Sequence, residues 1–107
     1  MPAAVAEDLV RVRRFSKPVR VRVDLHGVST FASGDNSESR RTLIRWEWID
    51  TITPGPTGVV VLSADSSLTL PDHSFGLTPD ALSRQLESAR SIVTRSDVIA
   101  ELVASRG

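Results

Sequence analysis

Two short stretches near the start of the chain alternate strictly between valine and arginine, one from Val10 to Arg13 and one from Val19 to Val23. Period-two alternation with β-branched residues predicts half-buried strands, with the valines facing a core and the arginines facing out. Joining them by the loop Phe15-Ser16-Lys17-Pro18 pairs Arg14 with Val19, Val12 with Val21 and Val10 with Val23. A loop one residue shorter would turn Arg11 and Arg13 onto the valine face, where burying unpaired guanidiniums is costly. The preferred register places Arg13 opposite Arg20 and Arg11 opposite Arg22. Like charges facing each other across a strand pair destabilise it by ~0.2–1 kcal/mol each. A bound anion, an acidic partner surface, or a carboxylate such as Glu7, Asp24 or Glu47 is therefore expected to offset them.

Further strands follow. One begins after the His26-Gly27 turn and runs from Val28 to Ser33. In the next, Ile44, Trp46 and Trp48 share one face by alternation and are expected in the core, with Arg45 and Glu47 on the other. The strand continues through Ile49 and Ile52 and is expected to bend after the second tryptophan. A hairpin of residues 59–63 and 67–70 completes the β region, with Val60, Leu62, Leu68 and Leu70 as its core positions. The loops fall at residues 35–39, 54–58 and 64–67, all rich in Gly, Pro, Ser or Asp.

From Thr78 the period changes. Thr78 is a fitting N-cap, Pro79 suits the first helical position, and Asp80 complements the positive end of the helix. Leu82, Leu86, Ala89 and Val93 recur at helical spacing and predict a buried stripe. Ser96-Asp97 reads as a second N-cap, so a break is expected there, followed by a short helical segment carrying Val98, Ile99, Leu102 and Val103. This second apolar stripe either folds back on its own domain or packs on another chain. As an element too short to hold alone in water, it is expected to dock, on its own domain or on a partner.

The length of 107 residues suits one domain with one modest core. Thirteen basic and thirteen acidic side chains cancel, so no global field draws the chain to nucleic acid or membrane. The absence of cysteine excludes disulfides, thiolate metal sites and thiol catalysis. No apolar run approaches the ~20 residues that cross a bilayer. The opening residues carry neither a basic n-region nor an apolar h-region, so no signal peptide is expected. The expected location is cytoplasmic, with the inner face of a membrane as the peripheral alternative.

The order of elements between residues 19 and 91 resembles bacterial pleckstrin-homology-like (PH-like) domains. The residues that carry the likeness are Trp46, Ile49 and Ile52 at three-residue spacing, then Gly58-Val59-Val60-Val61-Leu62 and Leu68-Thr69-Leu70-Pro71. A Phe75-Gly76-Leu77-Thr78-Pro79 segment then leads into the helix. The sequence departs from the better-known eukaryotic pattern in having no tryptophan in that helix. The resemblance implies an α+β fold: a strongly bent antiparallel sheet or partly open barrel of about seven strands, capped by a C-terminal helix. The domain is expected over residues 9–95. Residues 1–8 read as a flexible lead-in, or at most a short helical turn, and residues 96–107 as a helical extension.

The resemblance also implies a platform for binding with no catalytic residues, cofactor or metal, although one fold hosts many functions. Lys17, Arg20 and Arg22 resemble the basic signature that some PH domains use for inositol phosphates. With Arg11 and Arg13 they form the candidate binding set, and Val98, Ile99, Leu102 and Val103 the candidate interface. A protein partner or homo-oligomer ranks first and anionic lipid second, while nucleic acid is disfavoured by the low aromatic content and zero net charge. Asp72-His73-Ser74 holds the residue types of a hydrolase triad, but neighbours in one loop do not reach the required relay geometry. His26 has no second histidine nearby in sequence to form a metal pair. The stretch from Gly34 to Glu38 lacks the ligand spacing of a calcium loop.

Overall fold

The computed structural model describes residues 5–10, 18–32 and 42–106. It is an α+β protein. Four strands, β1 (Val5–Val10), β2 (Val19–Asp24), β3 (Gly27–Ala32) and β4 (Thr42–Arg45), form an antiparallel sheet in chain order. A second antiparallel sheet holds β5 (Ile49–Gly55), β6 (Gly58–Ser63) and β7 (Ser67–Pro71). The helices α1 (Pro79–Ala89) and α2 (Ile92–Arg106) follow. The strands expected as one bent sheet or partly open barrel are thus divided into sheets of four and three, and among the described residues no closed barrel forms. The two sheets approach where β7 meets β3 and β4, α1 lies on β5 and β6, and α2 lies against β1.

The first strand starts earlier than its alternation suggests. Residues 5–8, read as a lead-in, belong to β1, and Val10 pairs with Val19 while Ala6 pairs with Val23. Relative to the expected register the strand has slid by an even number of residues. That slide keeps Val10, Val21 and Val23 in the core but replaces the facing arginines. Glu7 now lies opposite Arg22, and Leu9 opposite Arg20. The slide removes two like-charge pairs and creates an attractive one. It also leaves Asp8 on the valine side, where its Oδ2 accepts the Phe75 N–H at 2.7 Å. Phe75 is fully buried and left-handed (φ 57°), between His73 (φ 67°) and Gly76 (φ 73°). A non-glycine residue there is strained by ~1–3 kcal/mol; the Asp8 bond and the buried ring hold it.

Alternation through the tryptophans stops one residue pair early. Trp46 is buried and its indole N–H donates to the Asp24 carbonyl at 2.8 Å, while its backbone N–H bonds the His26 carbonyl at 3.2 Å. These anchors end β4, and residues 46–48 form a 3₁₀ turn that swings Trp48 outward, leaving it 55% exposed. The expectation that Trp48 shares the core face with Ile44 is corrected accordingly. The bend falls at the first tryptophan. Ile49 and Ile52 return to the core, with a bulge between Ile49 and Thr51.

In β6 the inward set is Val59 and Val61, not Val60 and Leu62, and these pair with Leu70 and Leu68. The continuous run Val-Val-Val-Leu carries no alternation from which to read a face. Gly58 sets the phase. Its φ of 144° and a Cβ that would come within 2.0 Å of the Leu70 carbonyl oxygen admit no other residue unstrained.

Thr78 caps α1 as expected, its Oγ1 accepting the Ala81 N–H at 3.2 Å, and Leu82, Leu86 and Ala89 are buried. The break comes at Arg90–Ser91, ahead of the predicted Ser96, and Val93 emerges 83% exposed. Arg95 explains the early stop. Its Nε donates to the Ala89 carbonyl at 2.8 Å and its Nη2 to the Arg90 carbonyl at 3.0 Å, satisfying acceptors that a helix end leaves open.

Candidate binding surface

The outer face of the four-stranded sheet carries Arg20 and Arg22, as their alternation with valine predicts. Arg22 forms a two-nitrogen ion pair with Glu7 Oε2, through Nε at 2.6 Å and Nη2 at 2.5 Å. Arg20 Nη1 lies 3.9 Å from Glu7 Oε1. Both guanidiniums sit over the Phe31 ring, 5.7 and 5.9 Å from its centroid. Glu7 therefore supplies the offset that the sequence demands for these two arginines. Arg11, Arg13 and Lys17, the other members of the candidate basic set, lie outside the described residues.

Of the two dockings expected for the last helix, the structure shows the fold back onto its own domain. Val98, Ile99 and Leu102 are buried in the domain's own core, where α2 meets β1, α1 and the turn around Phe75. Only Val103 of the four remains substantially exposed, at 41%. The segment folds back on itself because β1, starting at Val5, offers it a surface that a lead-in would not. Three of the four proposed interface residues are thus unavailable to a partner.

The triad-like loop is structural. Ser74 is buried and its Oγ donates to the Pro71 carbonyl at 2.6 Å, which locks the turn. His73 Nε2 lies 3.4 Å from Asp72 Oδ2 at the surface. His26 occupies an exposed turn whose backbone N–H groups, from His26 and Gly27, both donate to Asp24 Oδ1. Among the described residues no three His, Asp or Glu side chains gather as metal ligands, and no helix is long and apolar enough to cross a membrane.

A groove of about 400 Å³ opens where the two sheets join, lined by Leu43, Glu47, Trp48, Asp50 and the turn of residues 63–66. Three local devices build it. The 3₁₀ turn presents Trp48, the bulge before Thr51 turns Asp50 outward, and the tight turn after Ser63 presents Asp65. Bulges commonly re-aim a side chain in this way. The turn is held by reciprocal bonds, with the Ser63 N–H and Oγ–H donating to the Ser66 carbonyl and the Ser66 N–H to Ser63 Oγ. Arg45 lies 5.4 Å from the Trp48 ring centroid and pairs with Glu47 through Nε at 2.6 Å. A second groove of about 340 Å³, walled by Pro54, Pro56 and Pro79 with Asp72 and Asp80, presents no aromatic side chain.

Sequence reasoning singled out Trp48 but assigned it to the core. Asp50 and Asp65 carried no motif, and only the turn chemistry around residues 64–67 pointed to their neighbourhood. Comparisons with protein-family models, curated proteins and solved structures find no match.

Proposed function

We propose that this chain is a non-catalytic binding module of PH-like architecture that docks another protein on the Trp48 groove. The observation that carries this reading is Trp48, 55% exposed beside Leu43 at the junction of the sheets. The neighbouring Trp46 is buried and hydrogen-bonded, so the same turn that hides one indole displays the other. Rigidly presented aromatic side chains beside apolar neighbours are the residues that anchor protein interfaces.

The PH-like part of the reading is supported by antiparallel strands followed by a helix at Pro79. It is also supported by the burial of Trp46, Ile49 and Ile52 at the spacing that carries the resemblance. The division into two sheets and the second helix are departures from it. The alternative, an adaptor that grips anionic lipid or phosphate with the first hairpin, is weakened by Glu7. That carboxylate already neutralises Arg22 and approaches Arg20.

Affinity capture from native lysate with the wild type, Trp48→Ala and Arg20→Ala/Arg22→Ala chains tests the two readings together. Loss of a defined set of proteins with Trp48→Ala, and its retention by the double arginine variant, is the expected result. Equal capture by all three chains refutes the groove as the docking site. Sedimentation of the wild type with anionic vesicles, lost in the arginine variant, would establish the lipid reading in its place.

A further inference from the structure

We infer that the Trp48 groove accepts a cationic peptide segment, one that sets an arginine or lysine side chain against the indole and between Asp50 and Asp65. The inference rests on the groove reading above and names the chemistry of its occupant. Glu47, Asp50 and Asp65 place three carboxylates around Trp48 and Leu43. Arg45 compensates Glu47. Asp50 and Asp65 are exposed, and neither forms an ion pair among the described residues. Among the described residues the groove therefore keeps an excess of negative charge that its lining leaves uncompensated.

Arg45 already demonstrates the fit on a small scale. Its guanidinium stacks near the Trp48 ring while its Nε meets a carboxylate, the combination of cation–π and ion-pair contacts that an incoming cation would repeat. Trp48 as a whole remains 55% exposed beside that contact. The volume of about 400 Å³ suits one or two side chains rather than a folded domain. Acidic peptides and nucleic acid phosphates meet repulsion in the same place. Leu43 adds an apolar wall that favours a residue with an aliphatic stem, as arginine and lysine have.

The test is selection of short random peptides on the immobilised full chain, counter-selected against Trp48→Ala. Binding of the enriched peptides is then measured at low and physiological salt. Enrichment of arginine or lysine is expected, with binding weakened by salt as partly exposed charges are screened. Asp50→Asn/Asp65→Asn should weaken binding about tenfold, the size of two partly exposed ion pairs. Trp48→Ala should weaken it by about 30-fold or more, as for an aromatic anchor. Circular dichroism melts of both variants check that the fold is retained. Enrichment of acidic or purely apolar peptides would overturn the cationic assignment while leaving the groove as a docking site. No Trp48-dependent enrichment would also overturn the inference. If the lysate capture nevertheless depends on Trp48, the groove reading survives and only its cationic occupant is lost. Concentration-dependent self-association abolished by Trp48→Ala would assign the groove to a second copy and equally overturn the inference.

Discussion

Arg95 lies over the ring of Trp46, 5.0 Å from its centroid, and so connects the second helix to the buried indole that ends β4. The same guanidinium reaches the Ala89 and Arg90 carbonyls at the end of α1, and its Nη1 lies 3.5 Å from the Leu25 carbonyl in the β2–β3 turn. One side chain thus ties together both helices, that turn and the indole. Arg95→Ala should lower stability by ~1–3 kcal/mol, the scale of a charged hydrogen bond combined with a cation–π contact. Arg95→Lys should recover only part of it, because an ammonium does not reproduce the planar fork of donors. Urea unfolding midpoints of the three chains measure this directly.

The two tryptophans should respond in opposite ways. Trp46→Ala opens a cavity in the core and orphans an acceptor on Asp24, so a loss of ~3–5 kcal/mol is expected. Trp48→Ala, at an exposed position, should change stability by less than ~0.5 kcal/mol. Acrylamide quenching of the single-tryptophan variants checks the assignment independently. The chain that retains Trp48 should quench readily, and the one that retains Trp46 should resist. The reverse order would place Trp48 in the core.

Glu7 and Arg22 should show a coupling that depends on salt. Both side chains are about one-third exposed, so their interaction is modest. A double-mutant cycle with Glu7→Gln and Arg22→Gln should give ~0.5–1 kcal/mol, falling as ionic strength rises. Zero coupling at low salt would contradict the pairing of Glu7 opposite Arg22, and with it the register of β1 on β2.

Asp8 and Phe75 form a contact far apart in sequence. Asp8→Ala removes the acceptor that holds the Phe75 N–H in a left-handed turn. The expected cost is ~1.5–3 kcal/mol, as for a hydrogen bond to a charged group. Amide exchange at Phe75 should accelerate more than exchange at Val21 or Val61, which lie inside the sheets. Unchanged protection at Phe75 would mean that the buried ring alone holds the turn.

The parts of this fold that were legible in the sequence are those decided within a few residues. Thr78-Pro79-Asp80 announces α1 because capping is local chemistry, and Ser67-Leu68-Thr69-Leu70 shows its buried face because it alternates. The parts that were not legible depend on partners distant in the chain. The valine–arginine alternation fits two registers with the same faces, and the contacts of Glu7 and Asp8 favour the observed one. The Ile44-x-Trp46-x-Trp48 pattern runs through a turn made by bonds to Asp24 and His26. The α1–α2 break has no glycine or proline to mark it, because Arg95 caps the end from the next helix. The candidate groove inherits this difficulty. Its walls are a 3₁₀ turn, a bulge and a loop from different elements, and its carboxylates have no shared motif.

The last helix supplies the sharpest contrast between an interface and a core. Its apolar residues look like a stripe in need of a partner, yet Val98, Ile99 and Leu102 are buried against β1, α1 and the Phe75 turn. Ile99→Ala and Leu102→Ala should each cost ~2–5 kcal/mol, the range for truncating a large aliphatic side chain in a packed core. Val103→Ala, at a position 41% exposed, should cost far less. Thermal melts combined with sedimentation velocity distinguish the two roles. A core helix predicts lowered melting temperatures with no change in association state before unfolding. If instead Ile99→Ala left the melt unchanged but dissolved an oligomer, α2 would be an interface and its packing on β1 would be incorrect. The exposed pair Ile92 and Val93 at the start of the same helix provides the internal control. Ile92→Ser/Val93→Ser removes apolar surface that is already in water, so it should leave stability within ~0.5 kcal/mol while Ile99→Ala does not.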